Sequence, residues 1–237
     1  MMLKLGVPSK GRLMEKTFDW FATHGLTLKR TGADREYAGS VAGVDGVQLV
    51  LLSASEIPRE LAAGRIHLGV TGSDLVRETL ADWQAQVMEL ALMGFGHADL
   101  VVAVPKAWVD VETLDDLDAV AAAFRARHGF RLRIATKYHR LVREYLRAHG
   151  VADYQLVDSQ GATEGTIKNL TAEAIADITS TGETLSANHL KILRDTPVHC
   201  SQATLFASRA ADWDGVAETR ARLFAKLGVG DVSGLGR

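Results

Sequence analysis

Asp177-Ile-Thr-Ser-Thr-Gly-Glu-Thr-Leu185 follows an apolar run, Ala174-Ile175-Ala176, and leads into a helical pattern that starts at Leu185. An acidic residue closing a strand, a turn rich in hydroxyls and glycine, and a helix start together make an anion site from backbone. Unpaired amide hydrogens and the positive end of the helix dipole face the anion, and the hydroxyls of Thr179, Ser180, Thr181 and Thr184 add donors around Gly182. Asp177, at the strand end, is placed for sugar hydroxyls or for a Mg2+ ion carried by a phosphorylated ligand. An ordinary helix cap has a similar look, so the turn is weighed with the rest of the chain.

Three other strand-to-helix junctions accompany it. In Val7-Pro8-Ser9-Lys10-Gly11-Arg12-Leu13, proline stops the strand and Gly11 permits close approach. Lys10 and Arg12 put two cations at a helix N-terminus, where the dipole disfavours them unless an anion binds. In Gly69-Val-Thr-Gly-Ser-Asp74, Ser73 or Asp74 is a candidate helix cap. A buried Asp74 would also suit the exocyclic amine of a base. In Ile134-Ala-Thr-Lys-Tyr-His-Arg140, Tyr138 offers an aromatic face, and Lys137 and Arg140 offer charge.

Apolar runs alternate with helical patterns along most of the chain, which implies an α/β protein with largely parallel sheets. Strands are expected at Leu3–Val7, Val47–Leu52, Ile66–Val70, Leu100–Val104, Arg133–Ala135, Tyr154–Val157, the run ending at Asp177, and Val198–Ala207. Helices are expected at Gly11–Ala22, Pro58–Ala63, Thr113–Arg127, Arg140–Ala148, from about Thr163, and at Val216–Leu227. No linker or repeat separates the blocks. The expectation is two lobes joined by crossings near Leu92–Ala98 and Pro197–Thr204, with the ligand in the cleft between them.

At 237 residues, 47% hydrophobic and 24% charged, the chain has the length and balance of a globular protein with a substantial core. No apolar run reaches the roughly 18–20 residues of a membrane helix. The first residues enter a strand without a signal-peptide pattern. A net charge of −2 argues against a broad nucleic-acid surface but not against a local basic pocket. The single cysteine, Cys200, rules out an internal disulfide or a cysteine-cluster metal site, and is expected to be a small buried residue. A cytoplasmic location, with no membrane and no nucleic-acid partner, is expected. The eight histidines show no metal-ligand spacing, and the P-loop and dinucleotide fingerprints are missing.

Taken in order, Pro8-Ser-Lys-Gly-Arg-Leu13, Gly64-x4-Gly-Val-Thr-Gly-Ser-Asp-Leu75, Ile134-Ala-Thr-Lys-Tyr138 and the run Glu164–Leu185 resemble the ATP phosphoribosyltransferase family over nearly the whole chain. Within the last run the match falls on Glu164, Ala172, Ile175, Asp177, Ile178, Thr181, Gly182, Thr184 and Leu185. The resemblance implies a two-lobed, periplasmic-binding-protein-like (type II) α/β fold with the active site in the inter-lobe cleft. Residues 1–96 plus 186–237 would form one lobe, and 97–185 the other. It implies attack of N1 of ATP on C1 of phosphoribosyl pyrophosphate, with Mg2+ arriving mainly on the substrate phosphates and Glu164 or Asp177 as candidate direct ligands. Lys10, Arg12 and Asp177 would be catalytic. The phosphoribosyl pyrophosphate set would be Glu164, Asp177, Thr179, Ser180, Thr181, Gly182 and Thr184. The ATP set would be Lys10, Arg12, Leu13, Asp74 and Tyr138.

The resemblance also implies the short form of the family, which works with a histidyl-tRNA-synthetase-like regulatory subunit in a hetero-oligomer, alongside self-association. Two departures stand out. Leu170 occupies a position usually held by glycine, and Ser53 stands where an arginine is common, leaving Arg30, Arg35 or Arg59 to compensate. Glu183, a charge inside the turn, is expected to face solvent. The competing reading is a non-catalytic two-lobed sensor of a phosphorylated metabolite.

Overall fold

A computed structural model of the chain describes residues 1–30, 38–159, 161–230 and 235; Arg35 lies outside them. The chain forms two compact units, Met1–Gly96 with Gln202–Arg237, and His97–Ser201.

The first unit runs β1 (Leu3–Pro8), α1 (Gly11–Thr23), β2 (Thr27–Arg30), β3 (Ala38–Ala42), β4 (Val47–Leu52), α2 (Ile57–Ala62), β5 (Leu68–Gly72), α3 (Ser73–Thr79), α4 (Trp83–Gln86) and β6 (Val87–Leu92). The second follows with β7 (Ala98–Pro105), α5 (Leu114–His128), β8 (Leu132–Thr136), α6 (His139–Ala148), β9 (Tyr154–Asp158), α7 (Gly165–Lys168), β10 (Ala174–Thr179), α8 (Glu183–Ala187), β11 (Leu190–Ile192) and β12 (His199–Ser201). The chain then returns to the first unit as β13 (Ala203–Ser208) and α9 (Ala217–Leu227).

Among the described residues the first sheet has the order β2-β3-β4-β1-β5-β13-β6, and the second β11-β7-β10-β8-β9 with β12 also on β7. The expectation of largely parallel sheets is corrected. Only β1 with β4 and β5, and β8 with β9 and β10, pair in parallel, and the other described pairs are antiparallel. Of the parallel strands, β1, β5 and β8 are buried along most of their length, β4 alternates buried with half-buried residues, and β9 is half-buried or exposed throughout. Leu3, Leu5 and Val7 of β1 and Leu49 and Leu51 of β4 lie in a core closed by Phe21, Trp213, Leu223 and Phe224. A smaller core in the second unit joins Val101, Ala103, Ala135, Ile175 and Leu185.

Three boundaries move for the same reason, pairing with β7. The second unit runs on to Ser201 instead of ending at 185, because β11 and β12 hydrogen-bond β7. The single strand expected over Val198–Ala207 is two strands in two sheets, parted at Gln202. The strand expected to end at Asp177 continues to Thr179, since Asp177, Ile178 and Thr179 pair with Val101, Leu100 and Asp99.

Two details show how local chemistry fixes the frame. Thr113 caps α5 through a reciprocal box with Asp116, and that helix has acids in its first turn, Arg125, Arg127 and His128 in its last, and Gly129 after it. His67 is buried, accepts the Lys4 amide on Nδ1 at 3.1 Å and meets the Asp212 carbonyl through Nε2 at 3.1 Å. That pairing fixes a neutral ring with the proton on Nε2, and burial lowers its pKa.

Candidate active site

The junction after β10 forms a recess of about 270 Å³ lined by Ala98, Glu164, Asp177, Ile178, Thr179, Ser180, Thr181, Thr184 and Leu185. The structure thus brings together the expected phosphoribosyl pyrophosphate set, with Gly182 as the left-handed N-cap (φ 76°) of α8. A side chain there would be strained, so the glycine makes the sharp entry into the helix possible. The helix begins earlier than the expected Leu185: it starts at Glu183, which is exposed, and ends at Ala187.

The hydroxyls have separate tasks. Thr179 Oγ1 accepts the Gly182 amide at 2.8 Å and Thr181 Oγ1 accepts the Glu183 amide at 3.3 Å, leaving each O–H able to donate to a ligand. Ser180 Oγ donates to the His97 carbonyl at 3.0 Å, so its donor is already used in tying the turn to the start of β7. Asp177 is half-buried, and its Oδ1 accepts the Ile178 amide at 2.8 Å. The recess contains two carboxylates, Asp177 and Glu164, and no lysine or arginine. A phosphate there would be held by amides and hydroxyls, while the carboxylates suit sugar hydroxyls or a Mg2+ ion whose other ligands are phosphate oxygens and water. No cluster of three or more metal-ligating side chains occurs among the described residues.

In the first unit, Lys10 is the extended N-cap of α1 (φ −157°, ψ 164°), with no side-chain cap bond and no acid in the first turn. Gly11 takes φ 73°, Lys10 and Arg12 are exposed, and Leu13 is half-buried. Asp74 is 6% exposed in the first turn of α3, whose N-cap is Gly72, so neither Ser73 nor Asp74 caps that helix. Ser53 holds the approach to α2: its amide bonds the Glu56 carboxylate at 3.0 Å and its hydroxyl meets that of Ser55 at 2.8 Å. Arg30 and Arg59 are exposed.

Tyr138 corrects the sequence reading. Its ring is 1% exposed at the N-cap of α6, with Lys137 Nζ 5.2 Å from the ring centroid, so it presents no open face to a base. Cys200 also differs. It is exposed, and its thiol bonds the Asp99 carboxylate, which with partial burial raises its pKa. Ala98, Ile178 and Leu185 enter the recess without having been singled out as ligands. Ala98 is placed there by strand pairing, which leaves no local sequence mark. A larger cavity of about 740 Å³ in the first unit is lined by Met1, Met2, Lys4, His67 and the Glu60–Arg65 ion pair, and has no comparable turn.

The fold and recess define an α/β protein of two units with a turn suited to a phosphorylated sugar. The family profile described as HisG: ATP phosphoribosyltransferase matches residues 53–227. An ATP phosphoribosyltransferase of Cereibacter sphaeroides is 76% identical over 229 residues, covering 97% of both chains. A chain of the ATP phosphoribosyl transferase (HisG:HisZ) complex from Thermotoga maritima superposes with a TM-score of 0.71 at 21% identity, over 96% of each chain. A histidine kinase sensor domain with similarity to periplasmic binding proteins shares the fold at TM-score 0.52 and 13% identity, over 96% of this chain and 89% of that one.

The chain belongs to the ATP phosphoribosyltransferase family. It is a transferase that moves the phosphoribosyl group of phosphoribosyl pyrophosphate to N1 of ATP, giving phosphoribosyl-ATP and pyrophosphate, the first step of histidine biosynthesis. The reading as a non-catalytic sensor is not favoured. No described helix is long and apolar enough to cross a membrane.

Proposed function

We propose that the recess after β10 holds the phosphoribosyl moiety, and that the Lys10–Arg12 turn serves the pyrophosphate or triphosphate. The observation that carries the first half is the recess itself, where Asp177, Glu164, Thr179, Ser180, Thr181 and Thr184 converge. Asp177 would take the ribose hydroxyls, Thr179, Thr181 and Thr184 the 5-phosphate, and Glu164 the sugar or its metal. Mg2+, when bound, neutralises the phosphates and eases departure of pyrophosphate. Lys10 and Arg12 stabilise charge that grows on that leaving group, and positioning then supplies much of the catalysis without a protein nucleophile. Leu13 and Asp74 would face the adenine. Tyr138 belongs to that set only if its ring moves out of the interior.

The partner proposed is a histidyl-tRNA-synthetase-like regulatory subunit in a hetero-oligomer, with self-association of the catalytic chain and a cytoplasmic setting. The similarity to the Thermotoga maritima complex supports this, as does the equal coverage with the Cereibacter sphaeroides relative, which fits the short form. Histidine would then act through the partner, by coupling between distinct sites. Pyrophosphate release with Mg2+, omitting each substrate in turn, with and without the candidate partner, tests the reading. Release that needs both substrates and rises with the partner is expected. Full histidine inhibition of the isolated chain through a dedicated site would overturn the partnership.

A further inference from the structure

Residues 125–147 hold eight Lys or Arg against one acid, Glu144, in a chain whose net charge is −2. Arg125, Arg133 and Arg140 have acidic partners, in Asp153, Glu173 and Glu144. Among the described residues Arg127, Arg131, Arg143 and Arg147 have no ion-pair partner, and all four are exposed. Arg143 and Arg147 stand one turn apart on α6, a like-charge spacing that disfavours a helix. The surroundings gather these charges at one end of the second unit. Arg125 reaches Asp153 at 2.5 Å, Leu132 pairs with Tyr154, and Arg143 and Arg147 both act on the Tyr154 hydroxyl.

An aromatic centre sits among them. Phe130 is 45% exposed, packs edge-on to Phe124 at 5.3 Å, and lies 5.6 Å under the Arg133 guanidinium. Exposed aromatic surface ringed by arginine is the make-up of protein interfaces, and arginine is over-represented among residues that dominate binding. The patch lies at the starting ends of β8 and β9. Since β8 and β10 are parallel, the recess after β10 is at the opposite end, about 20 Å away by the strand rise. Substrate binding at the recess therefore gives no account of it.

We propose that this patch, centred on Phe130 with Arg127, Arg131 and Arg147, docks an acidic surface of the regulatory subunit. The inference rests on the partnership proposed above. A second copy of this chain is a poor occupant, because an isologous contact would set the arginines against one another.

The test measures binding of the full chain to the histidyl-tRNA-synthetase-like subunit of the same genome, by calorimetry at about 0.05 M and about 0.5 M salt. Wild type is compared with Arg127→Glu/Arg131→Glu/Arg147→Glu, with the milder triple glutamine variant, and with Phe130→Ser. The expected result is wild-type binding that weakens with salt, at least tenfold weaker binding by the charge-reversed and Phe130→Ser chains, and unchanged melting and partner-free turnover. Should charge reversal prevent folding, the glutamine variant and Phe130→Ser decide. Equal binding by wild type and variants would overturn the patch and leave the partnership standing. No binding by wild type would overturn the partnership and the patch with it. Salt-sensitive retention of transfer RNA by the patch, with the subunit binding elsewhere, would also overturn it.

Discussion

Two strand-to-helix turns, Pro8–Leu13 in the first unit and Asp177–Leu185 in the second, are built in opposite ways. The second is closed by its own side chains: Thr179 and Thr181 accept amides of the turn, Ser180 ties it to His97, and Gly182 takes the left-handed bend. The first has no side-chain cap, no acid, and two exposed cations against the dipole. One turn is a shaped recess tied by its own hydrogen bonds. The other leaves two cations facing a helix N-terminus, an arrangement that a bound anion would stabilise. On the function proposed above, shape and charge, which a single phosphate loop often combines, would be divided between these two turns.

The largest expected effect is at the shaped turn. Asp177→Asn should lower kcat/KM for phosphoribosyl pyrophosphate by more than about tenfold with little change in melting, because the carboxylate's described bond is to the neighbouring Ile178 amide. The charged turn should respond differently. Arg12→Met should lower kcat/KM by about tenfold yet leave melting unchanged or slightly higher, since it removes a cation from a helix N-terminus. Melting scans and steady-state rates on the same preparations check both, and a melting loss in Arg12→Met would break the contrast.

Smaller effects separate the units by stability. His67→Leu leaves the Lys4 amide and the Asp212 carbonyl without their ring partner, and should cost about 1–3 kcal/mol in denaturant titration. The same residue sets a pH dependence. Its folded pKa lies below 6.5, so its neutral form is favoured by folding. Its contribution is complete above 6.5 and is lost as pH falls from there through the lowered value. The Asp116 cap in the second unit is also lowered, from 3.8, so its contribution persists until more acid conditions. Acid titration should therefore weaken the first unit before the second, and His67→Leu should flatten that early loss. Smallest of all, Leu170→Gly should stabilise by up to about 1 kcal/mol at unchanged turnover. Leu170 is 79% exposed and holds φ 57°, a backbone region that favours glycine.

What was legible in the sequence was whatever local pattern controls. The apolar runs of β1, β4 and β8, the Thr113 start of α5 and the Asp177–Leu185 turn all announce themselves within a few residues. What depends on pairing did not. The edge strand β2 (Thr27–Arg30) is too polar and brief to read, β3 (Ala38–Ala42) is a short run of mostly small residues held between β2 and β4, and β11 and β12 owe their existence to β7. Gln202 parts Val198–Ala207 between two sheets without a proline or glycine to mark it. Tyr138 looks like a ligand face in sequence and is buried because the packing around α6 closes over it. Ala98 lines the recess only because β7 lies beside β10. The turns proposed to carry the chemistry were readable, and the walls that shape the recess were not.

The most direct test of the division between shape and charge is binding of phosphoribosyl pyrophosphate with Mg2+, by calorimetry, to wild type and to Thr179→Val/Thr181→Val. The account predicts at least about tenfold weaker binding in the variant, from lost donors and a loosened turn. Binding within twofold of wild type, in a variant that melts normally, would contradict it.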